Sequence, residues 1–159
     1  MDGGSIEDLY RGHSSAAFRL AFLLVGNSAR AEDLVHEAFV RLLSRFRSIQ
    51  DPQALRAYLN RTIVNLAKNH HRDEGRRRRV LASQPTSDVE GMPDVAQRDE
   101  IHRQLKELPY RQRAALVLRY CEDLSEKEVA DALNTSPKAV RSLVGRGLAA
   151  LRSKGIQDE

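Results

Sequence analysis

Two groups of side chains recur in this sequence at helical spacing, and both suit contact with a polyanion. Arg61, Asn65, Lys68, Asn69 and Arg72 fall three and four residues apart, so a helix through them gathers them on one face. Arginine and lysine there can meet phosphates, and asparagine can pair with an exposed base edge. Taken alone, such a face is more often merely solvated. The second group is Lys138, Arg141, Ser142, Gly145 and Arg146, again on one helical face. Its members donate hydrogen bonds or, at Gly145, are small enough for close approach. Arginine can grip a guanine edge with two hydrogen bonds, and Lys138, near the start of its helix, suits a phosphate.

Catalytic chemistry finds no comparable support. His70 and His71 stand beside Asp73 and Glu74, but adjacent histidines point to different sides of a helix, and no His-x-x-x-His spacing accompanies them. No phosphate loop, nucleophile constellation or paired-carboxylate site is present. The chain is therefore expected not to be an enzyme and to need no metal and no cofactor. Its single cysteine, Cys121, allows no internal disulfide and no cysteine zinc site. The flanking Leu118, Tyr120 and Leu124 suggest a small buried residue rather than a reactive thiol. The run Arg76 to Arg79 reads as a generic electrostatic patch.

The elements that must position the two groups are helices. With 159 residues there is room for one ordinary domain or two small ones. Hydrophobic residues make up 41% and charged residues 30%, with a net charge of +4, so a folded chain leaning toward an acidic partner is implied. The first five residues are acidic rather than basic, and the longest apolar run, Leu20 to Val25, is too short to cross a bilayer. A cytoplasmic protein without membrane insertion is expected.

Apolar periodicity predicts a first helix from about Ile6 to Val25, stopped by Gly26-Asn27. A second follows with Ser28 as its N-cap and a stripe of Ala31, Leu34, Val35, Ala38, Leu42 and Phe46. Asp51-Pro52 opens a third, with Leu55, Leu59, Ile63 and Leu66 inward, which carries the first polar group on its other side. Two prolines and no amphipathic period mark residues 81–98 as a flexible linker. Beyond it Ile101, Leu105 and Leu108 resume the helical pattern, which Pro109 breaks.

The last part is the most explicit. Ser125-Glu126-Lys127-Glu128 is a capping box, Asn134 a left-handed terminator, and Ser136-Pro137 the cap and first residue of a further helix. Two short helices on a tight turn make a helix-turn-helix, whose second helix enters the major groove of duplex DNA. That second helix bears Lys138 to Arg146 on its outer side.

Several stretches together resemble the extracytoplasmic-function (ECF) RNA polymerase sigma factors, group 4 of the sigma-70 family. RLAFLLVG at 19–26 and AEDLVHEAFVRL at 31–42 are similar to region 2 of that family. RAYLNRTIVNLAKN at 56–69 resembles its promoter-melting part, and LPYRQRAALVLRY at 108–120 with DLSEKEVA at 123–130 resembles region 4. The resemblance implies an all-α protein of two small helical domains, region 2 over 1–80 and region 4 over 99–159. It implies an initiation factor that takes core RNA polymerase to promoters. Lys138, Arg141, Ser142, Gly145 and Arg146 would contact the −35 element. Tyr58, Arg61, Asn65, Lys68, Asn69 and Arg72 would face the −10 element, with Asn65 holding a flipped base. Asp33, His36 and Glu37 would dock on the clamp helices of the large polymerase subunit, and an anti-sigma factor is an expected partner.

Some positions depart from the family. Tyr58 stands where tryptophan is more usual, His36 where glutamine is, and Leu143 where the recognition helix commonly carries arginine. Gly145 and Gly147 should each weaken that helix by roughly 1 kcal/mol relative to alanine. Two other readings stay open on the residues alone. One is a stand-alone helix-turn-helix transcriptional regulator; the other makes the N-terminal half only a protein-docking module.

Overall fold

The structure, a computed structural model, describes residues 6–45, 51–80 and 95–153. All regular elements among them are helical: α1 (Ile6–Val25), α2 (Ser28–Ser44), α3 (Pro52–Val80), α4 (Val95–Lys106), α5 (Tyr110–Leu116), α6 (Glu126–Leu133) and α7 (Pro137–Ser153), with a π-helical turn, Val117–Cys121, continuing α5. Residues 81–94 of the expected linker, and Phe46, lie outside the described residues; α4 begins four residues before the end of that expected linker.

Local chemistry explains the boundaries. Gly26, at φ 78°, ends α1, and its amide donates to the Phe22 carbonyl at 2.7 Å. No other residue suits this position, because a Cβ here would stand 2.5 Å from the His102 ring. The N-cap of α2 is Asn27, one residue earlier than the sequence suggests: its side chain accepts from the Arg30 amide at 2.9 Å, and Ser28 is already helical. At the start of α3 the Asp51 carboxylate accepts from the Gln53 amide at 3.0 Å.

Helices α1, α2 and α3 pack mutually, and α5, α6 and α7 form a second group. Leu20, Leu24, Leu42 and Ile63 fill the first; Val117, Leu118, Val129 and Val140 fill the second, all essentially without exposure. Full burial of such a side chain is worth about 1.5–3 kcal/mol, so each group has a core of its own. The two groups also touch. α1 lies against α4 and the π turn, and α3 against α5 and α6, so that the buried residues form one connected cluster.

One expectation from the sequence is corrected, that of a buried Cys121, and one apolar residue of the resumed helical pattern does not join the core. Ile101 is 53% exposed, because α4 turns His102 and Leu105 inward instead. Cys121 is exposed rather than buried. The wider π turn, closed by the Glu122 amide on the Val117 carbonyl at 3.0 Å, changes the helical phase, and Glu122 takes the buried position.

Candidate nucleic-acid interface

The helix-turn-helix forms from the caps visible in the sequence. The Ser125 hydroxyl accepts from the Glu128 amide at 3.1 Å, and the Glu128 carboxylate accepts from the Ser125 amide at 2.8 Å. Asn134 is left-handed at φ 58° and ψ 53°, and the Ser136 hydroxyl accepts from the Ala139 amide at 3.1 Å. α7 thereby presents Lys138, Arg141, Ser142, Gly145 and Arg146, all exposed. The Arg141 guanidinium is steadied by Glu126 of α6 at 3.1 Å. Leu143 is half-buried against the core and leaves no polar group at its position. Gly147 is buried beneath Leu116, where it lets α5 and α7 approach closely.

On α3, Arg61, Asn65, Lys68, Asn69 and Arg72 are likewise exposed, opposite the buried Leu55, Leu59 and Ile63. They are not all idle. Arg72 donates to the Asn69 side-chain oxygen at 2.9 Å, and Arg61 donates to the Asp131 carbonyl of α6, also at 2.9 Å. Tyr58 is half-buried, with the Arg45 guanidinium 5.5 Å from its ring centre. One ring face is therefore already covered by a cation.

Asp33, His36 and Glu37 sit exposed on the outer side of α2, where Glu37 pairs with Arg41 at 3.1 Å. Beside them lies a patch that the sequence reading missed. Tyr10, Val40 and Leu43 are exposed, and the Tyr10 ring lies 5.0 Å from that of Phe39. Together with His36 they line one open groove. Val40 and Leu43 follow His36 by four and seven residues, which is the signal that could have revealed them.

The titratable groups with clear shifts lie between the two helical groups rather than on these faces. Burial pushes the Glu122 carboxyl up, against the opposing charges of Arg19 and Arg56. Burial likewise raises the Tyr110 hydroxyl and lowers Arg113, while His13 is lowered by burial and by the nearby Arg56. Among the described residues no three His, Cys, Asp or Glu side chains converge as metal ligands would.

Comparison with known proteins decides what frame these faces belong to. The Sigma-70 region 2 family model matches residues 9–77, and that for Sigma-70, region 4, matches residues 98–151. The RNA polymerase sigma-E factor of Streptomyces avermitilis is 34% identical over 157 residues, covering 93% of this chain and 83% of that protein. The chain belongs to the ECF sigma factors. The ECF sigma factor SigE of Mycolicibacterium smegmatis is 35% identical over 93% of the chain, though over only 60% of its own length. Among solved structures, the sigma factor RpoE of Bartonella quintana, in complex with the anti-sigma factor NepR, has the same fold at a TM-score of 0.78. It is 20% identical and covers 95% of this chain and 99% of that one. CnrH, in complex with the cytosolic domain of CnrY, follows at a TM-score of 0.71 and 22% identity, covering 93% and 85%. This sigma factor is thus a transcription initiation factor, and the reading as a stand-alone regulator is set aside. No helix among the described residues is long and apolar enough to cross a membrane.

Proposed function

We propose that this sigma factor grips its promoter at two points while bound to core RNA polymerase. Lys138, Arg141, Ser142, Gly145 and Arg146 of α7 read the −35 duplex. Asn65 of α3 holds a flipped base of the −10 element, with Tyr58, Arg61, Lys68, Asn69 and Arg72 along the melted strand. The observation that carries this reading is the presence of two separate exposed basic faces, one in each matched region, where a single operator reader would need only one. Each small face alone would bind weakly; joining them in one chain raises the effective concentration of the second contact.

The clamp helices of the large polymerase subunit would meet α2 through Asp33, His36 and Glu37. The adjacent apolar Tyr10, Val40 and Leu43 give that surface the oily centre and charged rim of a protein interface. An anti-sigma factor is a further proposed partner, supported by the complex in which the Bartonella RpoE was solved. The setting proposed for all of this is the cytoplasm. Run-off transcription with purified core polymerase over a genomic promoter library tests the reading. Promoter-specific transcripts that appear only when this protein is added are expected, and their absence would sink it.

A further inference from the structure

An arginine reads a base edge well when its planar guanidinium is already aimed, because a long side chain otherwise loses rotamer freedom on contact. Three cations stand on the proposed −35 face of α7, Lys138, Arg141 and Arg146, and they are not equivalent. Lys138 and Arg146 are exposed and have no polar partner among the described residues. Arg141 is held: its Nε donates to Oε1 of Glu126 on α6 at 3.1 Å. The two residues are 15 apart in sequence and on different helices, so the turn between α6 and α7 sets their geometry.

That ion pair does little for the fold. The Arg141 side chain is 61% exposed and that of Glu126 38%, and pairs so open to water contribute little to stability. The start of α6 is already secured by Ser125 and Glu128, whose reciprocal hydrogen bonds do not involve Glu126. What the pair fixes is orientation. A guanidinium donates from Nε and from its two outer Nη atoms. With Nε engaged by the carboxylate, the Nη1 and Nη2 donors are left, and they match the O6 and N7 acceptors of guanine in the major groove. Arg141 also lies about one turn behind the Ser136 cap, in the part of a recognition helix that meets base edges. Leu143, half-buried nearby on the same helix, adds no donor, so the aim of Arg141 counts for more.

We propose that Glu126 is a positioning residue for promoter readout, holding Arg141 end-on for a guanine of the upstream element. The inference rests on the assignment of α7 to the −35 duplex. Glu126 is the first residue of α6, the helix that crosses the DNA backbone in this motif. There its charge opposes phosphates whatever the sequence. The residue thus lowers affinity for every duplex while raising the preference for one base. Selectivity comes from the Glu126–Arg141 pair, and generic affinity from the unanchored Lys138 and Arg146.

The test uses holoenzyme assembled from core polymerase and the full chain, bound to a duplex pool randomised across the upstream element. Glu126→Ala should lower the preference for guanine at one position on the order of tenfold. Glu126→Gln keeps an oxygen that accepts from Nε, so its preference should fall between those of the parent and Glu126→Ala. Both variants lose the same charge, so both should bind random duplex more tightly than the parent and by the same factor. In an Arg141→Ala background, Glu126→Ala should change base preference no further. The urea midpoint and the helical content by circular dichroism should stay those of the parent. Equal loss of guanine preference in the two Glu126 variants would show that only the charge is felt, and would overturn the positioning. A lowered midpoint with preference lost at every position would overturn it in favour of a structural role. A cytosine preference lost with Glu126 even in the Arg141→Ala background would make the carboxylate a direct reader, and would overturn it as well. Two further results separate the positioning from the reading beneath it. An unchanged profile in Glu126→Ala, with the guanine lost in Arg141→Ala, refutes the positioning and leaves the −35 assignment standing. An unchanged profile in Arg141→Ala refutes the place of Arg141 on the duplex, and the positioning with it.

Discussion

Gly147 of α7 and Leu116 of α5 meet so closely that a Cβ on the glycine would stand 2.8 Å from the leucine Cδ1. Leu116 is buried, at 5% exposure, and its side chain has little room to retreat. Overpacking of this kind typically costs about 1–3 kcal/mol, whereas replacing a mid-helix glycine by alanine returns roughly 1 kcal/mol of helix propensity. The clash should win. Gly147→Ala is expected to lower the unfolding free energy by about 1 kcal/mol, read as a lower urea midpoint at unchanged slope. An equal or higher midpoint would show that α5 and α7 are less tightly apposed than their geometry indicates.

Gly145, two residues earlier, predicts the opposite sign. A Cβ there meets nothing within 4 Å, so Gly145→Ala should stabilise the fold by roughly 1 kcal/mol. The same methyl group projects from the face proposed to approach the −35 duplex. Affinity for −35 duplex should therefore fall although stability rises. Fluorescence anisotropy and a urea titration on the same variant check both halves; unchanged affinity would remove Gly145 from the contact set.

These two glycines illustrate how far the sequence could be read. Both looked like departures that weaken a recognition helix, and only the packing of α5 on α7 separates the necessary one from the permissive one. The bounds of α1, the capping box at Ser125 and the left-handed Asn134 were legible because each is set by residues adjacent in sequence. The exposed polar faces of α3 and α7 were legible because helical spacing alone gathers their residues. Polar groups buried between the halves were not. Nothing in the sequence singles out Arg113, Tyr110 and Glu122, since apolar periodicity carries no signal for polar groups whose partners lie on distant helices. Cys121 was misplaced for a related reason: a π turn shifts the phase on which the inward reading depended.

Glu122 should give the junction a specific pH dependence. Burial raises its carboxyl above the ordinary value of 4.5, although Arg19 and Arg56 oppose the shift. A raised carboxyl means that the folded chain holds its proton at a pH where the unfolded chain has released it. The contribution of this group to stability is therefore greatest below about pH 4.5, and it declines as pH rises through the folded value. Glu122→Gln removes the decline, so it should gain stability relative to the parent as pH rises from about 4 to about 7. Arg19→Ala should do the reverse, leaving a buried carboxylate less supported. Arg19 is itself half exposed, so the loss at neutral pH should be only on the order of 1 kcal/mol. Thermal unfolding of the three proteins across that range provides the check; parallel curves would mean that Glu122 does not titrate differently in the folded state.

Asn65 offers the most direct test of the division of labour between the regions. It is exposed on α3, and its side chain takes no part in the fold's core. Asn65→Ala should thus leave both stability and core-polymerase binding unchanged. It should still impair melting, because an asparagine amide that pairs with an extruded base contributes only once the strand has opened. Loss of a good base contact is worth about 1–3 kcal/mol, so open-complex formation should fall roughly tenfold to a hundredfold. Permanganate reactivity of thymines around the start site measures the opening, and native gel shift with core polymerase measures the docking. Arg61→Ala makes an informative companion, since it removes a proposed strand contact and the hydrogen bond to the Asp131 carbonyl of α6 together. If Asn65→Ala lost core binding instead, the residue would belong to the polymerase interface and the −10 assignment of this face would be wrong.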